Sequence, residues 1–213
     1  MSGALQAVYQ NQRSFSNIPN IGDAYQGGFF AGQISTSGNS IANYNLVIGP
    51  IASAQSQLQF KIVNVGGDST SVIDGPGNTT AMNDASHPAA QFCKGLTIGG
   101  FSDWYMPAKN ELEICYFNLK PTTSTNNLNS GINANAVPAR ASKYTSGNPA
   151  QTSAAAFKTG TGAEAFASES YWSSSEYAPN GTEAWAQYFP TGGQGYNYKN
   201  EAIRTRAVRR VAV

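Results

Sequence analysis

The sequence predicts an α+β fold, with helices set beside antiparallel sheets, and three features of its 213 residues carry that expectation. Strand-like segments occupy the first third. Helical signals are confined to the middle, and more strand-like pieces close the chain after a long stretch rich in Thr, Ser, Asn and Gly. Strands and helices that come in separate runs, not in alternation, do not build a parallel α/β sheet.

In chain order, residues 1–20 are polar with scattered apolar side chains and no helix or strand period. They read as an arm whose Tyr9, Phe15 and Ile18 anchor it to a larger body, or as a frayed terminus. Residues 21–213 read as one domain. Gly27 to Ile34 and Asn43 to Ile48 form a strand pair across a Ser/Gly/Asn turn. Leu58, Phe60 and Ile62 alternate with Gln59 and Lys61, predicting a third strand that ends near Val65. Pro88 to Lys94 reads as a helix closed by Gly95. A second helix follows Pro107, with Leu112, Cys115, Tyr116 and Leu119 on one face and Pro121 as its stop. Thr122 to Ala163 is too long for an ordinary connection and is expected to be a structured excursion or a functional loop. Tyr171 to Ser174, Ala184 to Phe189, Gly195 to Lys199 and Thr205 to Val211 supply the closing strands.

Composition narrows the function. Charged residues make up 12% of the chain, about half the usual share, and the net charge is +1. That balance argues against nucleic-acid binding and against a disordered acidic chain. No apolar run reaches the roughly 18 to 20 residues of a membrane span, and the first residues lack the pattern of a cleaved secretory leader. Two cysteines, Cys93 and Cys115, and one histidine, His87, leave no four-thiolate zinc site and no two-His site, so no metal or other cofactor is expected. Both thiols are expected to be free and buried on helix faces, and His87 to be a cap neighbour and not a general base. Long loops ending in tyrosine and amide side chains suit a surface-displayed recognition protein.

Several blocks of text resemble one family. Asp74-Gly75-Pro76-Gly77-Asn78-Thr79, Ala89-Ala90-Gln91-Phe92-Cys93, and Gly99-Gly100-Phe101-Ser102-Asp103-Trp104-Tyr105-Met106-Pro107-Ala108-Lys109-Asn110-Glu111-Leu112 are similar to the Lcl C-terminal (collagen-like adhesin C-terminal) domain. So are Tyr171-Trp172-Ser173-Ser174-Ser175-Glu176-Tyr177 and Arg206-Ala207-Val208-Arg209-Arg210-Val211 near the end. The resemblance runs from about Ile21 to Val211 and implies a C-type-lectin-like fold: antiparallel sheets, two helices and long loops, a binding scaffold of bacterial adhesins and phage virions. Members that bind sugar through calcium carry Glu-Pro-Asn or Gln-Pro-Asp with Trp-Asn-Asp, and this sequence has none of these triplets. Calcium-dependent sugar binding is therefore not expected. The same broad fold includes a cysteine-dependent oxidase, a reading that would require Cys93 and Cys115 to be exposed and close together.

The expected ligand surface is a pair of loops. One, Glu176 to Glu183, offers Glu176, Tyr177, Asn180 and Glu183. The other, Gly192 to Tyr198, offers Gln194, Tyr196, Asn197 and Tyr198 on glycine supports. Tyr196 and Tyr198 could equally pack on a sheet. Trp185, Gln187 and Phe189 fall on one face of a strand and Ala186 and Tyr188 on the other. Alternation sets Arg204, Arg206 and Arg210 on one face and Arg209 opposite. These arginines either meet an anionic ligand or, the favoured reading, pair with carboxylates such as Asp103, Glu111 or Glu201.

The resulting expectation is a non-enzymatic phage virion surface protein, assembled in the host cytoplasm and mounted at a tail-fibre tip or on the head. It would bind other virion proteins through its N-terminal arm and a host-surface glycan or protein through its lectin-like domain. A homo-oligomer is expected, with a trimer favoured. The alternative is a decoration or collar protein that contacts only neighbouring subunits.

Overall fold

A computed structural model describes residues 18–213. The expectations for residues 1–17, including the anchors Tyr9 and Phe15, lie outside the described residues, and Ile18 is exposed.

The described residues form two five-stranded sheets. The first contains β1 (Ala24–Tyr25), β2 (Gly28–Ile34), β3 (Tyr44–Ile48) and β10 (Val208–Ala212) in that order, with the short β5 (Ala136–Val137) also on β2. The second runs β4 (Gln55–Gln59), β9 (Ala202–Arg206), β6 (Ser170–Glu176), β7 (Glu183–Tyr188), β8 (Gly193–Tyr198). All pairings are antiparallel except the short β6–β9 contact. The fold is α+β, and its two terminal segments share the first sheet through the β3–β10 pairing.

β2 and β3 form because apolar side chains serve both faces of a sheet buried on both sides. Leu46 and Ile48 of β3 enter one core cluster, and Val47 enters the other. A bulge between Phe30 and Gly32 bends β2. Gly32 is obligatory there: its φ is +124°, and Asn118 Nδ2 occupies the space a Cβ would take.

Among the described residues there are four short α-helices: α1 (Ile51–Ala54), α2 (Gly75–Ala81), α3 (Pro88–Lys94) and α4 (Lys109–Leu119). The two expected from sequence are α3 and α4. In α2 the chain Gly75-Pro76-Gly77 starts a helix because Asp74 caps it, its Oδ1 accepting from Gly77 N at 3.2 Å. At the start of α4, Glu111 reaches back to accept from Ala108 N at 2.8 Å. Leu112, Cys115, Tyr116 and Leu119 fill one core with β2, β3 and β6 residues. Cys93 packs in the other core with Trp104 and Trp172. The cysteines are both buried and free, as expected.

Two strand expectations need correction. The third strand sits earlier, at Gln55–Gln59; Phe60 is buried, but Ile62 and Val65 are half exposed in an irregular segment. Lys61 N and Ile62 N are tied to Lys199 O and Ser86 O, which takes the chain away from the β9 ladder. The closing strand Thr205 to Val211 is divided at Ala207, with β9 in the second sheet and β10 in the first. Ala207 is wholly buried, and its N–H and C=O pair with Ala54 O and Gly49 N, so the crossing leaves no orphaned backbone group.

The arginines follow the favoured reading. Arg209 meets Asp103 (2.6 Å), Arg210 meets Glu111 (2.8 Å), Arg206 meets Glu164 (2.5 Å) and Arg204 meets Glu169 (2.8 Å). Glu201 instead accepts from Asn197 Nδ2. Arg209 stacks on Phe101 at 3.8 Å, while Arg206 and Arg210 lie over Phe166 and Tyr44. The block Gly99 to Leu112 is therefore a clamp: Gly99 and Gly100 turn with positive φ, Trp104 fills the core, and Asp103 holds the last strand. His87 is the N-cap residue of α3, with its ring between Asp84 (2.9 Å) and Asp68 (3.0 Å).

Candidate functional site

The β7–β8 hairpin carries the expected ligand residues, and its register sorts them by face. Directly opposed residues share a face: Glu183 with Tyr198, Trp185 with Tyr196 and Gln187 with Gln194 on one side; Ala184 with Asn197, Ala186 with Gly195 and Tyr188 with Gly193 on the other.

On the first face an aromatic ledge rises beside the start of α4. Tyr177 stacks on Tyr196 with ring centroids 4.1 Å apart and planes 14° from parallel, and it meets Trp185 edge-on at 5.0 Å. Lys109 Nζ lies 4.6 Å above the Trp185 ring, where burial lowers its pKa. Tyr196 and Tyr198 remain 49% and 51% exposed although their neighbours anchor them. Rigid, half-open aromatic rings of this kind offer contact area at small entropic loss on binding.

The second face is a shallow depression of about 260 Å³. Ser170, Ala186, Gly193 and Gly195 form its floor, and Tyr188 stands at its side, 43% exposed. Asn127, from the long central excursion, closes one edge through Asn127 N to Thr191 O at 2.8 Å.

The expected residues thus separate into three groups. Tyr177, Tyr196, Tyr198 and Glu183 share the ledge, with Asn180 donating to Glu183 Oε2 at 2.9 Å. Asn197 and Gln194 border the depression, and Tyr196 borders it as well as the ledge. Glu176 points inward, 6% exposed, and accepts from Lys199 Nζ at 2.5 Å and Asp68 N at 2.9 Å, so it holds the loop and presents nothing to solvent. Sequence reasoning placed Trp185, Gln187 and Phe189 on one face of a strand and Ala186 and Tyr188 on the other. Gln187 and Phe189 are buried, but Trp185 is half open at the ledge, and the small Ala184 and Ala186 pack inward instead. Lys109, Tyr188 and Asn127 were not foreseen; the pairing of Trp185 with Tyr196 across a Gly-rich turn was the available signal for the first of them.

Among the described residues no three His, Cys, Asp or Glu side chains gather to hold a metal ion, and no helix is long and apolar enough to cross a membrane. Cys93 and Cys115 lie in different core clusters, both wholly buried. Burial pushes the Cys93 thiol up to about 12, and Cys115 is also raised.

No curated protein matches the chain. The clamp, the Trp172 strand and the arginine-bearing crossing fall within residues 70–209, which match the model of the Lcl C-terminal domain over more than half of the sequence, and the chain belongs to that family.

Proposed function

We propose that the chain is a non-enzymatic surface-recognition module of lectin-like, adhesin type, carried on a phage virion and directed at a host-surface glycan or protein. The observation that carries the reading is the ledge of Tyr177, Trp185 and Tyr196, packed ring on ring, with Tyr196 half exposed and the other two partly exposed. Buried inert thiols and arginines consumed by internal ion pairs leave amide, hydroxyl and aromatic groups as the outward chemistry, which suits contact and not catalysis. In this reading residues 1–20 join the module to other virion proteins, and several copies, a trimer by preference, act together. The particle is assembled in the host cytoplasm.

The test is retention of fluorescently labelled full chain on intact bacterial cells, before and after periodate treatment of their surface polysaccharide. Tyr196→Ala is expected to lower retention roughly tenfold, the equivalent of about 1.4 kcal/mol, while leaving the melting midpoint in place. Equal retention of both proteins would overturn the ledge as the contact surface.

A second reading, a decoration or collar protein, is favoured by one feature. Ile62, Val63 and Val65 are each about half exposed beside the 177–182 loop, with Gly66 packed against Gly181. Such a patch suits a subunit contact. Gold labelling of intact particles distinguishes the two, since antibody to residues 176–183 reaches its epitope only if no sister chain covers it.

A further inference from the structure

We propose that the depression on the second face of the β7–β8 hairpin seats a single uncharged sugar ring, held without a metal ion. The inference rests on the glycan branch of the function proposed above and adds a second place of contact beside the ledge, with its class of ligand.

The register builds the floor. Ser170, Tyr188 and Gly193 lie in one cross-strand row, and Ala186 and Gly195 in the next, so four of these five positions project a hydroxymethyl, a methyl or nothing. On the inner part of this face the row partner of Ala186 is Trp172, wholly buried in the core. The core therefore stops at Ala186, and beyond it the sheet opens without large side chains. A Cβ built on Gly195 would meet nothing within 4 Å, whereas one on Gly193 would lie 3.1 Å from Asn127 Nδ2. Gly195 is thus not demanded by backbone strain or by crowding, since its φ is not in the left-handed region. A glycine that costs strand stability and is required by nothing in the fold leaves room for something outside it.

The chemistry around that room is uniform. None of the side chains bordering it is charged. Tyr188 offers an aromatic surface to the apolar face of a pyranose. The hydroxyls of Ser170, Tyr188 and Thr191 and the Asn127 amide nitrogen donate to no group among the described residues, and so are available to sugar hydroxyls. A carboxylate or sulfate would find no cation here, which excludes acidic sugars from this depression. Its volume, about 260 Å³, equals that of roughly nine waters in the liquid and lies below the span typical of drug-sized pockets. One ring fits, and a longer chain must continue over the rim.

The experiment is saturation-transfer NMR on the full chain with methyl glycosides of glucose, galactose, mannose and N-acetylglucosamine, and with glucuronic acid. At least one neutral glycoside is expected to show ring-proton saturation, and glucuronic acid none. Gly195→Val fills the depression with a residue that favours strands, so its melting midpoint is expected to hold or rise while the saturation signal disappears. Ile41→Ala, at an exposed position between β2 and β3 in the other sheet, is expected to keep the signal. Absence of saturation by every neutral glycoside, an undiminished signal in Gly195→Val, or saturation by glucuronic acid alone would each overturn the proposal. Cell retention by the unaltered chain without any glycoside signal would remove this site and leave the broader reading standing; loss of cell retention in the unaltered chain would remove that reading instead.

Discussion

Lys199→Met isolates the charge that fastens the candidate hairpin to the rest of the fold. The Lys199 ammonium is wholly buried and donates to Val65 O at 3.0 Å and to Asp68 Oδ2 and Glu176 Oε2 at 2.5 Å each. Methionine keeps the length and apolar stem of the side chain and removes the charge. Asp68 would still meet Lys61 at 2.7 Å and His87 at 3.0 Å, but Glu176 would lose its one cation among the described residues and keep only Asp68 N. Breaking a buried pair by removing one partner costs about 3–5 kcal/mol. Because Glu176 retains a backbone donor, the lower end applies, about 3 kcal/mol. With a urea slope of about 2 kcal/mol per molar, the midpoint should fall by roughly 1.5 M. Adding Glu176→Gln removes the stranded charge, so the double variant should recover at least half of the loss. Equilibrium urea unfolding followed by tryptophan fluorescence reads both. A loss below about 1 kcal/mol, or a double variant no more stable than the single one, would refute the assignment of Lys199 as the counter-charge of Glu176.

Three further outcomes follow from the same geometry. At Asp68, burial raises the carboxyl pKa, but hydrogen bonds from Lys199, Lys61 and His87 outweigh it and hold it below the ordinary aspartate value. A depressed carboxyl stabilises the fold above that ordinary value and loses its contribution as pH falls through the folded value, so the urea midpoint should drop below about pH 4 and Lys61→Met should flatten the drop. Native protein should not react with iodoacetamide near neutral pH, since Cys93 is raised to about 12 and both thiols are wholly buried, whereas unfolded protein should take up two equivalents; labelling of the native form would disprove the burial. Ligand retention should change less than about threefold between low and physiological salt, because the ledge and depression act through rings and amides; a steep dependence would show that phosphate- or sulfate-type contacts dominate.

Much of the scaffold was legible because local signals and global burial agree in it. The β2–β3 pair, α3 and α4 each combine a period with a terminating residue, and the alternation that set Arg209 against Arg204, Arg206 and Arg210 holds through the crossing, with Arg209 on Phe101 and Arg206 on Phe166. The break at Ala207 left no local mark: the residue is small and apolar, and what divides the strand is the pairing of Ala207 with Gly49 and Ala54, more than 150 positions away. Helix α2 was hidden by its two glycines and a proline, which read as a turn until Asp74 supplies the cap. For the candidate surface, composition brought Tyr177 and Tyr196 forward, but only the cross-strand register could reveal that Tyr196 lies opposite Trp185 and Asn197 opposite Ala184. Glu176 shows the same limit in reverse, since a carboxylate at a strand end looks exposed until a lysine two strands further on claims it.

The fold solves two problems with one distribution of charge. Seven of the thirteen Lys and Arg residues are engaged in ion pairs within the described residues, most of them tying the final two strands or the 61–68 segment to helices and loops far off in sequence. Desolvated ion pairs contribute little net stability against apolar packing, yet they penalise any register that separates them. A chain that must pass from one sheet to the other at Ala207 gains more from that specificity than from additional apolar area, because a slip by one residue would leave Arg206 or Arg209 buried without an acid. The same placement leaves the β7–β8 hairpin without a basic residue, Glu183 being its one charged side chain. Its outer edge can then change ring, amide and glycine positions without disturbing the ion-pair frame, and recognition at that edge is governed by shape and hydrogen bonds at short range.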